Sequence, residues 1–150
     1  MFSKKRRKKH YHEIIMDQVL TIKGELCDLN TYIRAERGSR FAAATIKKDE
    51  TERIWAECKI QKIGLQKKGC FIVFSWYAKD KRKDKDNIAF AKKFILDGLV
   101  DAHVLDEDRW DYISGFLDVF EVDENNPRIE VHFGERPDEI KINKLFKIGL

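Results

Sequence analysis

Two hydrophobic periods alternate along the chain. VLTIKGE (Val19 to Glu25) sets Leu20, Ile22 and Gly24 against Thr21 and Lys23, a period of two that predicts a first strand. LCDLNTYIRAERGSR follows with scattered polar residues and reads as loop or irregular structure. From about Ala43 to Lys62 the spacing changes. Thr51, Ile54, Trp55 and Cys58 recur every three or four residues, which predicts a helix. GCFIVFSWYA (Gly69 to Ala78) is rich in β-branched and aromatic residues and predicts a strand buried on at least one face.

The second half repeats the alternation. Residues from about Asn87 to Val100 predict one continuous helix with Asp86 as its N-cap. Its apolar stripe is Ile88, Ala91, Ile95 and Leu99. A third strand is expected over Arg109 to Phe120, bulged or interrupted near Gly115, then a turn at DENNP and a last strand at RIEVHF (Arg128 to Phe133). The tail EIKINKLFKIGL reads as either a short helix or an extra strand. The order is β-α-β-α-β-β. The predicted fold class is therefore α+β, a single small mixed β-sheet with two main helices on one side.

Length and composition narrow this further. The chain has 150 residues, enough for one domain with one core, preceded here by a basic arm over residues 1–18, with the domain at 19–150. The arm, SKKRRKKHYH, reads either as a solvated tail or as a non-specific phosphate contact. Charged residues are 37% of the chain, and no apolar run is long enough to cross a bilayer. With no secretory signal visible, a soluble cytoplasmic protein without membrane contact is expected. Cys27, Cys58 and Cys70 are far apart and odd in number, so free buried thiols are expected rather than zinc or disulfides.

Charge is unevenly spread. Met1 to Lys83 carries 21 Lys/Arg against 10 Asp/Glu, and Asp84 to Leu150 carries 9 against 16. The basic half suggests a polyanionic partner. Its candidate phosphate contacts are Arg34, Arg37, Arg40, Lys47 and Lys48, with Lys81, Arg82 and Lys83 in the loop KDKRKDKDN.

That loop also holds carboxylates. Asp84 and Asp86 sit two apart before a helix, and in an extended segment both would face one spot. Such a pair can hold Mg²⁺ or Mn²⁺, or can be a solvated charge run that caps the helix. VLDEDRW adds Asp106, Glu107 and Asp108 at another boundary, either as further ligands or as an exposed acidic turn. On a continuous helix Asp86, Lys93 and Asp97 share a face, and Lys92 points elsewhere. Lys93 then either pairs with Asp97 at i,i+4 or lies beside a phosphate. Other chemistries lack their residues. His10, His12, His103 and His132 do not pair with cysteines at zinc spacing, and His103 reads as a loop residue. Ser39, Ser75 and Ser114 lack a nucleophile elbow, and no phosphate loop is present, so no small-molecule cofactor is expected.

Together these stretches resemble a known family. KDKDNIAFAKKFILDGLV, VLDEDRWDYI and PRIEVHF, with GELCDLNTYIRAERGSRFAAATIKK before them, are similar to the RusA family of Holliday-junction resolvases over roughly Leu20 to Phe133. The shared order is D-x-D-N, a helix with a lysine four residues before an aspartate, an acidic group, and a strand. Asp84, Asp86, Asn87, Lys93, Asp97, Glu107 and Asp108 fill it. Two departures stand out. Asp86 to Lys93 is longer than in shorter-looped members, and the acidic pair is Glu107-Asp108, preceded by Asp106, rather than two aspartates. The resemblance implies a RusA-like fold and a dimeric, Mg²⁺-dependent endonuclease of phage type that resolves four-way junction DNA. It implies Asp84, Asp86 and Asp108 as metal ligands, with Glu107 a further candidate, and Lys93 as the catalytic lysine. Paired cuts on symmetric strands also call for a homodimer.

A second expectation belongs to another class: a non-catalytic nucleic-acid-binding module, or a resolvase relative without activity. It would bind without a metal, its acidic patches serving solvation or a protein partner. FIVFSWY lacks the Lys/Arg-Gly-Phe signature of an RNA-stacking sheet.

Overall fold

The computed structural model describes residues 18–136. The basic arm up to position 17 and the tail EIKINKLFKIGL lie outside the described residues. The elements are β1 (Val19–Lys23), α1 (Leu29–Gly38), α2 (Arg40–Ile60), β2 (Cys70–Ala78), α3 (Lys85–Ala89), α4 (Lys92–Asp101), β3 (Ile113–Val122) and β4 (Arg128–Gly134). The strands form one mixed sheet in the order β1-β4-β2-β3. β4 is antiparallel to both β1 and β2, and β3 runs parallel to β2. The α+β class with one small mixed sheet is thus present.

Alternation decides which face the helices cover. Leu20 and Ile22, Ile72, Phe74 and Trp76, and Ile129, Val131 and Phe133 are buried on one face, together with Ile54, Cys58, Phe94, Ile95 and Leu99 from the helices. The intervening residues, such as Thr21, Val73, Ser75 and Glu130, are only half-buried. Gly98 lets α2 and α4 close on each other: a Cβ there would lie 2.5 Å from Ile54 Cβ. At the outer edge of β1, the Gln61 side chain takes the place of a neighbouring strand. Its Oε1 accepts from Thr21 N at 2.9 Å and its Nε2 donates to Thr21 O at 2.7 Å.

The thiols follow the core. Burial pushes the Cys58 thiol up to about 12 and Cys70 to about 11. Cys27 is half-buried, and all three are free. No helix among the described residues is long and apolar enough to cross a membrane.

Three expectations need correction or refinement. First, the segment read as irregular after β1 is the helix α1. Asp28 caps it by accepting from Thr31 N at 2.8 Å, and Asn87 Oδ1 accepts from Asn30 N at 2.9 Å. Its apolar stripe is short, Leu29, Tyr32 and Ile33 within one turn, and only half-buried, with Tyr32 packed against the core. Second, the continuous helix from Asn87 to Val100 is two helices. The chain tightens at the joint, where Ala91 N, Lys93 N and Phe94 N bond to the carbonyls of Ile88, Phe90 and Ala91, three residues back in each case. Phe90 fills this corner, edge-on to Phe94 at 5.5 Å and tilted against Tyr32 of α1 at 5.3 Å. The N-cap is accordingly Asp84, and Asp86 sits in the first turn of α3. Third, β3 starts later than expected, at Ile113. Its irregularity does lie beside Gly115: Cys70 pairs with Ile113 and Phe71 with Gly115, leaving Ser114 as the extra residue.

Candidate functional site

The break between α3 and α4 divides the expected site. Asp84 and Asp86 line an open groove of ≈ 960 Å³ with Asp80, Lys81, Lys83 and Lys85 from the loop and Phe120, Glu121 and Val122 from the end of β3. Lys93, Asp97 and Asp108 line a different groove, of ≈ 590 Å³, between α2 and α4, facing Lys47, Lys48 and Glu52. No residue lines both. The face shared by Asp86, Lys93 and Asp97 exists only on an unbroken helix, and the tight turn at Phe90–Ala91 removes it.

In the second groove Lys93 sits between carboxylates. Its Nζ donates to Asp97 Oδ1 at 2.9 Å and lies 3.6 Å from Asp108 Oδ2. The hydrogen bond to Asp97, against some desolvation and with help from Asp108, raises the ammonium above its ordinary range. Lys47 reaches Asp97 from the other side at 3.9 Å. The i,i+4 pairing is therefore made, and Lys93 is charged and occupied.

The expectation of bound Mg²⁺ or Mn²⁺ is corrected here. Among the described residues, no three His, Cys, Asp or Glu side chains gather into a group that could hold a metal ion. Asp84 and Asp86 line one groove and Asp108 another. Glu107 pairs with Arg109 instead.

The KDKRKDKDN loop has uses that its composition does not suggest. Asp80 Oδ1 accepts from Arg82 N at 2.9 Å, an Asx turn, so this carboxylate shapes the loop. Lys83 points inward, 2.9 Å from Asp28 Oδ2 and 3.2 Å from Glu25 Oε2. The bond to Asp28 raises the Lys83 ammonium above its ordinary range. Burial of Asp28 opposes ionisation, but hydrogen bonds from Thr31 and Lys83 outweigh it and hold the carboxyl below its ordinary range. Lys81 and Arg82 remain exposed.

Two features lie outside the expected set. Lys92, which helical phase alone turns away from the site, is the enclosed lysine: Nζ donates to Asp118 Oδ2 at 2.6 Å and sits over the rings of Phe74 and Phe116. Asp118 Oδ1 in turn accepts from Trp76 Nε1 at 2.9 Å. Asp118 faces the helices because it pairs in register with Phe74, a placement that the helix periodicity around Lys92 does not reveal. His103 adopts φ 58 just after α4, so this loop histidine occupies the left-handed position that ends a helix.

The basic residues of α1 and α2 are arranged differently from the carboxylates. Arg34, Arg37 and Arg40 are exposed around the α1–α2 corner, where Ser39 N bonds back to Ala35 O and Ser39 Oγ caps α2 by accepting from Phe41 N. Among the described residues none of the three makes an ion pair; Arg34 reaches only the Thr31 hydroxyl, at 3.4 Å. Arg40 stands in the first turn of α2, a turn without an acidic residue, where a cation opposes the helix dipole. A scan against protein-family models gives no match, and a search of curated proteins finds no similar sequence.

Proposed function

We propose that this protein is a nucleic-acid-binding module with the motif order of a RusA-type resolvase and without the nuclease activity of that family. The observation that carries this reading is the α1–α2 corner, whose three arginines have no carboxylate partner among the described residues. Arginines kept unpaired and exposed in a chain with 26 Asp and Glu are available to phosphate. The dispersal of the carboxylates favours binding over hydrolysis, because the ligand set on which the nuclease mechanism depends is not assembled among the described residues.

The ligand proposed is branched DNA, on the strength of the resemblance over Leu20 to Phe133. Phosphate contacts from Arg34, Arg37 and Arg40, joined by the exposed Lys48, hold the backbone without reading its sequence.

The test is anisotropy with a labelled four-way junction over a range of salt. Wild-type affinity is expected to fall steeply with salt and to be the same in Mg²⁺ and in EDTA. Changing Arg34, Arg37 and Arg40 together to Gln should lower the salt slope by about one for each phosphate no longer neutralised. Junction nicking in Mg²⁺ that disappears in Asp86→Asn would overturn the non-catalytic reading. An unchanged salt slope in the triple variant would remove the corner from the interface.

A further inference from the structure

Phe41 follows the corner arginines and is 84% exposed. It lies in the first turn of a 21-residue helix, so its backbone is held: its N–H bonds to Ser39 Oγ at 3.1 Å and its carbonyl accepts from Thr45 Oγ1 at 2.9 Å. Of the aromatic rings on α2, Phe41 is the more exposed, and its backbone fixes where the ring stands. Its surroundings select the partner. From Arg37 through Lys48 the sequence has no Asp or Glu; Arg37 and Arg40 precede Phe41, and Lys47 and Lys48 follow it further along α2, near Asp97 and Glu52. An aromatic face among cations matches a nucleobase attached to its phosphates.

The same helix supplies a contrast. At about 100° per residue, positions seven apart return to nearly one face, so Phe41, Lys48 and Trp55 are aligned on α2. Trp55 is also exposed, at 44%, about 21 Å from Phe41 at 1.5 Å per residue. The groove beside the stretch of α2 between them holds Lys47, Lys48 and Lys93 together with Glu52, Asp97, Asp101 and Asp108. Lys59 lies 6.0 Å from the Trp55 ring centroid, and its Nζ bonds to Ala102 O. Glu52, Asp97 and Asp108 in that groove are engaged by lysines, whereas the arginines before Phe41 have no carboxylate partner among the described residues.

We propose that Phe41 is a base-stacking residue: it takes an unpaired nucleotide of the bound DNA while the corner arginines hold the adjoining phosphates. This rests on the nucleic-acid reading above and specifies its ligand as DNA with unstacked bases. Stacking on an aromatic ring tolerates any base, whereas paired bases within a duplex offer no free face.

The experiment compares a fluorescein-labelled single-stranded oligonucleotide with the same sequence as a duplex. Phe41→Ala is expected to weaken single-strand binding about tenfold and to leave duplex binding unchanged. Trp55→Ala should leave both unchanged. Phe41→Trp should keep single-strand affinity and add emission that the single strand quenches and the duplex does not. Equal loss on both DNAs, or on neither, would overturn the stacking role while leaving the nucleic-acid reading intact. No wild-type binding to the single strand, with the four-way junction still bound, would overturn the stacking role alone; no binding to any of the three DNAs would overturn both. Gel filtration of the free proteins covers the competing occupant: a concentration-dependent dimer that disappears in Phe41→Ala, with DNA affinity kept, would assign the ring to a second copy.

Discussion

Asn87 Oδ1 accepts the backbone N–H of Asn30 at 2.9 Å, joining two residues 57 apart in the chain. Asn87 is 9% exposed, and its side chain completes the N-terminus of α1. The asparagine that follows the D-x-D pair therefore supports a helix on the far side of the loop. Asn87→Ala is expected to cost about 1–2 kcal/mol in urea unfolding, as for a missing cap with a donor left unsatisfied. Amide exchange at Asn30 should accelerate in the same variant. An unchanged midpoint together with unchanged exchange would show that α1 does not depend on this bond.

Gly98 faces Ile54 so closely that an added Cβ would sit 2.5 Å from Ile54 Cβ and 3.0 Å from Thr51 O. Neither atom can swing aside, since one is backbone and the other is bonded to it. Gly98→Ala should therefore lower stability by about 1–3 kcal/mol through overpacking, even though alanine is about 1 kcal/mol the better helix former. A stabilised Gly98→Ala protein would mean that α2 and α4 pack further apart.

Asp28 and Lys83 give stability a dependence on pH with a definite sign. The Asp28 carboxyl is lowered from its ordinary 3.8, so its contribution is fully present above that pH and is lost as pH falls through the lower folded value. Lys83 is raised from 10.5, so its contribution is present below 10.5 and is lost as pH rises through the higher folded value. Asp28→Asn keeps a cap and removes the charge. Urea midpoints should separate wild type from Asp28→Asn at neutral pH and converge on acidification below 3.8. A constant gap across that range would rule out the ion pair as its source.

Lys92, Asp118 and Trp76 form a chain of hydrogen bonds on the helix side of the sheet, with the lysine 18% and the aspartate 26% exposed. Asp118→Ala strands both the ammonium and the indole N–H, with an expected loss of about 2–3 kcal/mol. Lys92→Met keeps the packed stem and should cost less. The Lys92→Met, Asp118→Ala double variant should cost less than the sum of the two. Strict additivity would mean that the two side chains act independently.

The strands and the long helix could be read from the sequence for a local reason. Leu20 and Ile22, Ile129, Val131 and Phe133, and Ile54 and Cys58 repeat at the period of their own element, because each element turns one face to a shared core. The bulge beside Gly115 could be read likewise, since a strand interior containing glycine is where an extra residue fits. α1 gave a weaker signal, a single turn of Leu29, Tyr32 and Ile33 among polar residues; these are only half-buried, and its N-terminal donors are met by Asp28 and by the distant Asn87.

Composition and spacing were sufficient to bring out the carboxylates, the lysines and the arginines as the residues that carry chemistry. Their grouping was settled by packing. Phe90 wedges against Phe94 and Tyr32 and the helix breaks there, so Asp84 and Asp86 face one groove and Lys93, Asp97 and Asp108 another. A helical phase calculation assumes an unbroken hydrogen-bond ladder, and a single turn of three-residue bonds resets it. The sequence by itself determined the α+β class, the core faces and the basic character of the first half, because these follow from local periodicity and charge. Only the tertiary structure decided which charges neutralise one another and which remain free, because ion pairing depends on distances between residues far apart in the chain.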